Sequence, residues 1–83
     1  MNYELVARGQ NAKRVLDLPE FKDAIGEVKK DIFEQFKRTN VMDAETREEL
    51  HRVAYAVDLF VAKLEKYHAE AEYEIKSSEH RPE

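Results

Sequence analysis

Titratable side chains at helical spacing are the first candidates for chemistry in this chain. His68 lies four residues before Glu72, and His51 lies three residues after Glu48, so each pair would share a helix face. A zinc-protease helix needs two histidines four apart, and "HAEAE" supplies one. The chain has no cysteine, which excludes thiolate-bound metals. We therefore expect no metal, and interpret these histidines and His80 as solvated surface residues.

Pairs of carboxylates are the second candidates. Glu70 with Glu74, and Asp23 with Glu27, have the spacing of acid and base couples on a helix, but such catalysis needs a pocket that separates their environments. A thin helical protein offers no such pocket. The sequence also has no glycine-rich phosphate loop and no nucleophile within an evident triad. We predict a protein without catalytic activity and without a cofactor.

Basic residues form a third candidate group, in the second half of a predicted helix. They could contact phosphate or an acidic partner, but "EVKKDIFEQFKR" interleaves them with acidic residues, which is typical of a solvated face. The net charge of −4 also disfavours nucleic acid, which makes it an unlikely partner. The basic candidates are Lys29, Lys30, Lys37 and Arg38.

The composition is that of a single all-α domain. The 83 residues include two glycines and two prolines, and most of the others favour helices. A chain of this size buries only about 60 to 65% of its unfolded surface, so it gains from additional contacts. We find no apolar run long enough for a membrane span and no secretory signal, and therefore expect no membrane contact and a cytoplasmic protein.

Three helices are predicted, over residues 3–15, 19–39 and 44–76. Pro19 suits the first turn of the second helix, and Asp43 suits the N-cap of the third. These elements would form one domain over residues 1–76. The polar segment 77–83 has no apolar anchor and is predicted to be a flexible tail.

The apolar spacing of the second and third helices predicts an antiparallel helical hairpin with coiled-coil-like packing. A short turn joins the helices, and their apolar seams match in one register, with Val28 facing Val57 and Ile25 facing Phe60. The third helix overhangs this hairpin, so a short first helix is expected to meet Ala71. Its predicted apolar residues are Leu5, Ala12, Val15 and Leu16.

The third helix carries a second apolar stripe on the side opposite its hairpin seam. This outer stripe could contact another copy of the protein, lie under the first helix, or stay exposed, and we rank these alternatives in that order. Tyrosine is enriched at interfaces, which favours self-association. The outer stripe consists of Tyr55, Leu59, Ala62, Ala69 and Tyr73.

The segments "LDLPEFKDAIGEV" and "FKRTNVMDAETREELHRVAYAVDLFVAKLEKY" resemble a group of small bacteriophage-encoded helical-hairpin proteins of unassigned function. The shared features are a Leu-Pro-x-Phe entry, a Thr followed by Asp-x-Glu-x-Arg-Glu-x-Leu, and a long final helix. The matching positions include Leu18, Pro19, Phe21, Asp43 and Leu50. This resemblance implies a gene near virion-assembly genes, and a location in the host cytoplasm or the virion.

The functional prediction is a non-enzymatic helical assembly protein, acting as a homo-oligomer in phage particle construction. Its partners would be further copies of itself, phage structural proteins or a host protein. One alternative is a small acidic inhibitor of a host enzyme or defence complex, because residues 43–83 carry eleven acidic against six basic groups. Another is an accessory protein for DNA packaging that uses the basic residues.

Overall fold

The computed structural model describes residues 1–80 and consists of three α-helices in that part of the chain. Helix α1 spans Tyr3–Asp17, α2 spans Pro19–Arg38 and α3 spans Ala44–Glu79. The predicted all-α class is confirmed. The described helices contain nothing with both the length and the apolar composition needed to cross a membrane.

Local chemistry sets the helix boundaries. The side chain of Asn2 accepts a hydrogen bond from Leu5 N, and that of Asp43 accepts one from Thr46 N at 3.2 Å, so both residues act as N-caps. Pro19 begins α2 and holds Leu18 in an extended conformation, which separates α1 from α2. The predicted N-cap and the predicted break are therefore confirmed.

Helix α3 ends three residues beyond its predicted end. Ser77 and Ser78 remain helical and half-buried, because this end of α3 lies beside the start of α1, where Asn2 N donates a hydrogen bond to Glu74 Oε1 at 3.0 Å. The helix thus includes residues 77–79 of the predicted tail, and the flexibility of that tail stays a prediction. Residues 81–83 of the predicted tail lie outside the described residues.

Helices α1 and α2 follow one another along α3, each running in the direction opposite to it. Asn2 contacts Glu74 and Gly9 lies against Ala71 in the α1 half. In the α2 half, the Phe21 ring lies 6.3 Å from the Phe60 ring. The molecule is consequently long and thin, with extents of 64 × 24 × 16 Å. Its radius of gyration is 18.1 Å, whereas a compact domain of this length has about 12 Å.

The contact between α1 and α3 is the tightest in the described chain. Gly9 has so little space that a Cβ atom there would overlap the Cβ of Ala71 and the carbonyl oxygen of Tyr67. The buried apolar side chains of residues 1–80 cluster around it: Val6, Ala12 and Ala71. The prediction that the first helix meets Ala71 is confirmed. Val6 and Gly9 belong to its packed face, although the sequence prediction omitted them.

Polar contacts reinforce the α1–α3 contact at its rim. The guanidinium group of Arg8 lies 4.0 Å from the centroid of the Tyr67 ring, and it binds Glu70 at 3.0 Å. These groups are partly exposed, so their contribution to stability is modest. The close backbone approach at Gly9 and the apolar burial around it are therefore the main attachment of α1.

The two glycines provide a matched test of this packing. Gly9→Ala should destabilise the protein by about 1 to 3 kcal/mol, because the new methyl group forces α1 away from α3. Gly26→Ala should instead stabilise it by up to about 1 kcal/mol, because nothing lies within 4 Å of a Cβ there and alanine favours the helix. Urea unfolding of the two variants checks this. Equal stabilisation by both substitutions would contradict the close contact at Gly9.

Candidate interaction surface

The α2–α3 half is packed much more openly than the α1–α3 half. Helix α2 buries no residue completely, although its spacing is strongly amphipathic. Its half-buried apolar residues are Phe21, Ile25 and Ile32. Ile25 lines a groove with Val61 of α3, and Ile32 lines one with Leu50. Much of the predicted seam is therefore still accessible to solvent.

One side of the α2–α3 pair is bridged by polar and aromatic contacts. Lys29 Nζ forms an ion pair with Asp58 across the two helices at 2.9 Å. Near the turn, the guanidinium group of Arg47 lies 4.4 Å from the centroid of the Phe36 ring. We call this the bridged side. It also contains a shallow groove lined by Ile32, Phe33, Phe36, Leu50, His51 and Ala54.

The opposite side of the pair exposes apolar side chains, and we call Val28, Val53 and Phe60 the open face. Their exposed fractions are 41%, 44% and 56%. At 3.6 residues per turn, Phe60 and Val53 project about 160° and 140° away from Asp58. Val28 projects about 100° away from Lys29, so all three residues point away from the bridged side. Phe60, which its spacing places on the seam, is therefore not buried within the single chain. The layer pairs Val28–Val57 and Ile25–Phe60 remain predictions.

The outer stripe lies on the back of α3, away from both other helices. Tyr55, Leu59 and Tyr73 are 60%, 52% and 74% exposed, and Ala62 and Ala69 are exposed as well. Helix α1 lies along the far half of α3 and leaves Leu59 uncovered. This excludes cover by the first helix, one of the three alternatives for the outer stripe.

The basic residues of α2 are partly engaged within the molecule. Lys29 is paired with Asp58, while Lys37 lies 3.3 Å from Glu34 and 5.1 Å from the centroid of the Phe33 ring. Lys30 and Arg38 are exposed. The four residues thus differ in environment, and nearby acidic groups reduce the positive field that a phosphate would meet.

The acidic pair that resembled an acid and base couple has a structural role. Glu70 accepts a hydrogen bond from Arg8 and lies 3.9 Å from Lys66, while Glu74 accepts one from Asn2 N. Both residues thereby attach α1 to α3. Among the described residues, no group of three or more histidine, aspartate or glutamate side chains is placed to hold a metal ion.

Comparison with protein-family models, with curated proteins and with solved structures finds no match to this chain. The resemblance to phage helical proteins accordingly stays a prediction.

Exposure of Phe60 leads to a quantitative expectation for the single chain. Phe60→Ala at low micromolar concentration should cost about 1 to 1.5 kcal/mol, because only about half of the ring is removed from water. Truncation of a fully buried phenylalanine costs about 3 to 5 kcal/mol. Urea unfolding of dilute protein measures the difference. A loss in that higher range under monomeric conditions would show that the ring is buried within one chain.

Proposed function

We propose that this protein is a non-enzymatic helical interaction module that acts by associating with further copies of itself. The observation that carries the proposal is the open packing of α2 on α3, which leaves the apolar seam accessible along the open face. Large apolar areas exposed in one chain mark association surfaces in soluble proteins.

The accessible surface supports self-association in quantitative terms. The chain exposes 6689 Å², about 1500 Å² more than the roughly 5200 Å² expected for a compact monomer of 9.8 kDa. A standard protein interface removes about 800 Å² from each partner. The excess surface of one chain is therefore large enough to supply an interface.

The packing of α2 and α3 is part of the proposed function. We infer that α2 and α3 act as an antiparallel hairpin with coiled-coil-like seams, and that a partner completes the layers that one chain leaves open. Short side chains let α1 approach α3 closely, whereas the bulkier seam of α2 leaves space at the sides. A role in a phage particle, drawn from the sequence resemblance, is compatible with this proposal but not needed for it.

Self-association predicts a dependence of stability on concentration. Between about 1 and 100 μM, the mass measured by sedimentation equilibrium should rise above that of one chain, and the thermal midpoint should rise by several degrees, because association stabilises only the folded state. A constant mass of 9.8 kDa and a constant midpoint across this range would contradict the proposal.

A further inference from the structure

The open face combines exposed apolar side chains with charged residues along both of its edges. We propose that a second copy of the chain packs on Val28, Val53 and Phe60 about a two-fold axis parallel to the helices. In this arrangement α2 of each copy lies over α3 of the other, and the four helices form an antiparallel bundle. This inference rests on the proposed function and specifies its interface.

Charge along the edges of the open face selects this arrangement. Next to Val28, the outer edge of α2 carries Glu27 and Asp31, and both are exposed. Next to Val53 and Phe60, the outer edge of α3 carries Arg52 and Lys63, which are also exposed. An axis parallel to the helices brings the α2 edge of one copy onto the α3 edge of the other, so opposite charges meet.

The positions of the charges along the helices also agree. The ion pair between Lys29 and Asp58 fixes the levels at which α2 and α3 stand beside each other. Together with the contact between Arg47 and Phe36, this pair sets a range of levels in which Arg52 stands beside residues 31–35, a stretch that includes Asp31 and Glu34. A rotation about an axis parallel to the helices does not change the position of a residue along that axis. Arg52 of one copy therefore stands beside the same acidic residues of α2 in the other copy.

Both ends of the edges repeat this complementarity. Near the turn the signs are reversed, since Arg38 is on the edge of α2 and Glu49 is on the edge of α3 at a similar level. Farther from the turn, Lys63 stands at the level of Glu20. The two edges therefore carry opposite charges at three positions along the helices, which favours one register over a slipped one.

The alternative face-to-face arrangement brings like charges together. A two-fold axis perpendicular to the helices would stack α2 on α2, with Glu27 and Asp31 of both copies along one edge. Like charges at an interface disfavour association. The bridged side fits a second copy less well, because Lys29, Arg47 and Lys37 already lie over its apolar groups.

Charge substitutions test the orientation without removing apolar contacts. Asp31→Arg and Arg52→Glu should each weaken the dimer about tenfold, because the symmetry applies each change twice. The double variant should recover most of the wild-type dissociation constant, measured by sedimentation equilibrium. If Asp31→Arg strengthens association, or if the double variant is no tighter than either single variant, the orientation is wrong.

Lys66→Glu is the matched control for Arg52→Glu. Both substitutions remove a partly exposed ion pair within α3, Lys66 with Glu70 and Arg52 with Glu48. Lys66 projects midway between Tyr55 and Leu59, whereas Arg52 projects about 40° closer to Phe60 and the open face. The control should leave the dissociation constant within about twofold of wild type. An equal loss in both variants would mean that helix stability, and not contact between edges, determines association.

Replacing one apolar residue by glutamate on each surface distinguishes the open face from the outer stripe as the interface. Val53→Glu, on the open face, should weaken association about a hundredfold or more, whereas Leu59→Glu, on the outer stripe, should leave it nearly unchanged. Circular dichroism verifies that each variant folds, and the charge variants remain informative if Val53→Glu does not. Dissociation by Leu59→Glu alone would overturn this interface while retaining self-association. A wild type that stays monomeric would instead refute the proposed function itself.

Discussion

The close approach of α1 to α3 at Gly9 is the contact on which the rest of the structure depends. A glycine opposite Ala71 lets the two backbones come together, and the buried side chains of the described chain surround this point. Close backbone approach gives many van der Waals contacts from small residues. It also attaches the overhanging end of α3, which α2 is too short to reach.

The break at Pro19 allows the two halves to pack differently on one long helix. Val61 lies on the side of α3 toward α2, and Ala71 lies on the side toward α1; these residues project about 80° apart. A continuous helix from residue 3 to residue 38 would have to follow one side. The separation at Leu18 lets α1 dock closely, while the larger seam residues of α2 hold it farther from α3 and leave the open face accessible.

The sequence predicts the helices well because their signals are local. Asp43 as an N-cap, Pro19 at the start of α2 and the absence of strands from residues 1–80 all follow from the properties of single residues and from apolar spacing. The distance between packed helices does not follow from such local signals. Periodicity places Val28, Val53 and Phe60 on the seam, but it does not show how closely two axes approach, so their exposure was not predicted. Gly9 was the overlooked signal, since a glycine inside a helix often marks a tight contact.

Small-angle scattering of the associated protein tests whether a second copy packs along the open face with its helices at the same positions along the long axis. We expect a particle of two chains whose longest dimension stays close to the 64 Å of one chain. Stacking α2 on α2 would place the two α1 ends at opposite ends of the particle, with a length of about 80 Å or more. That greater length would contradict the proposed arrangement of the two copies, and the mass of a single chain at high micromolar concentration would contradict self-association.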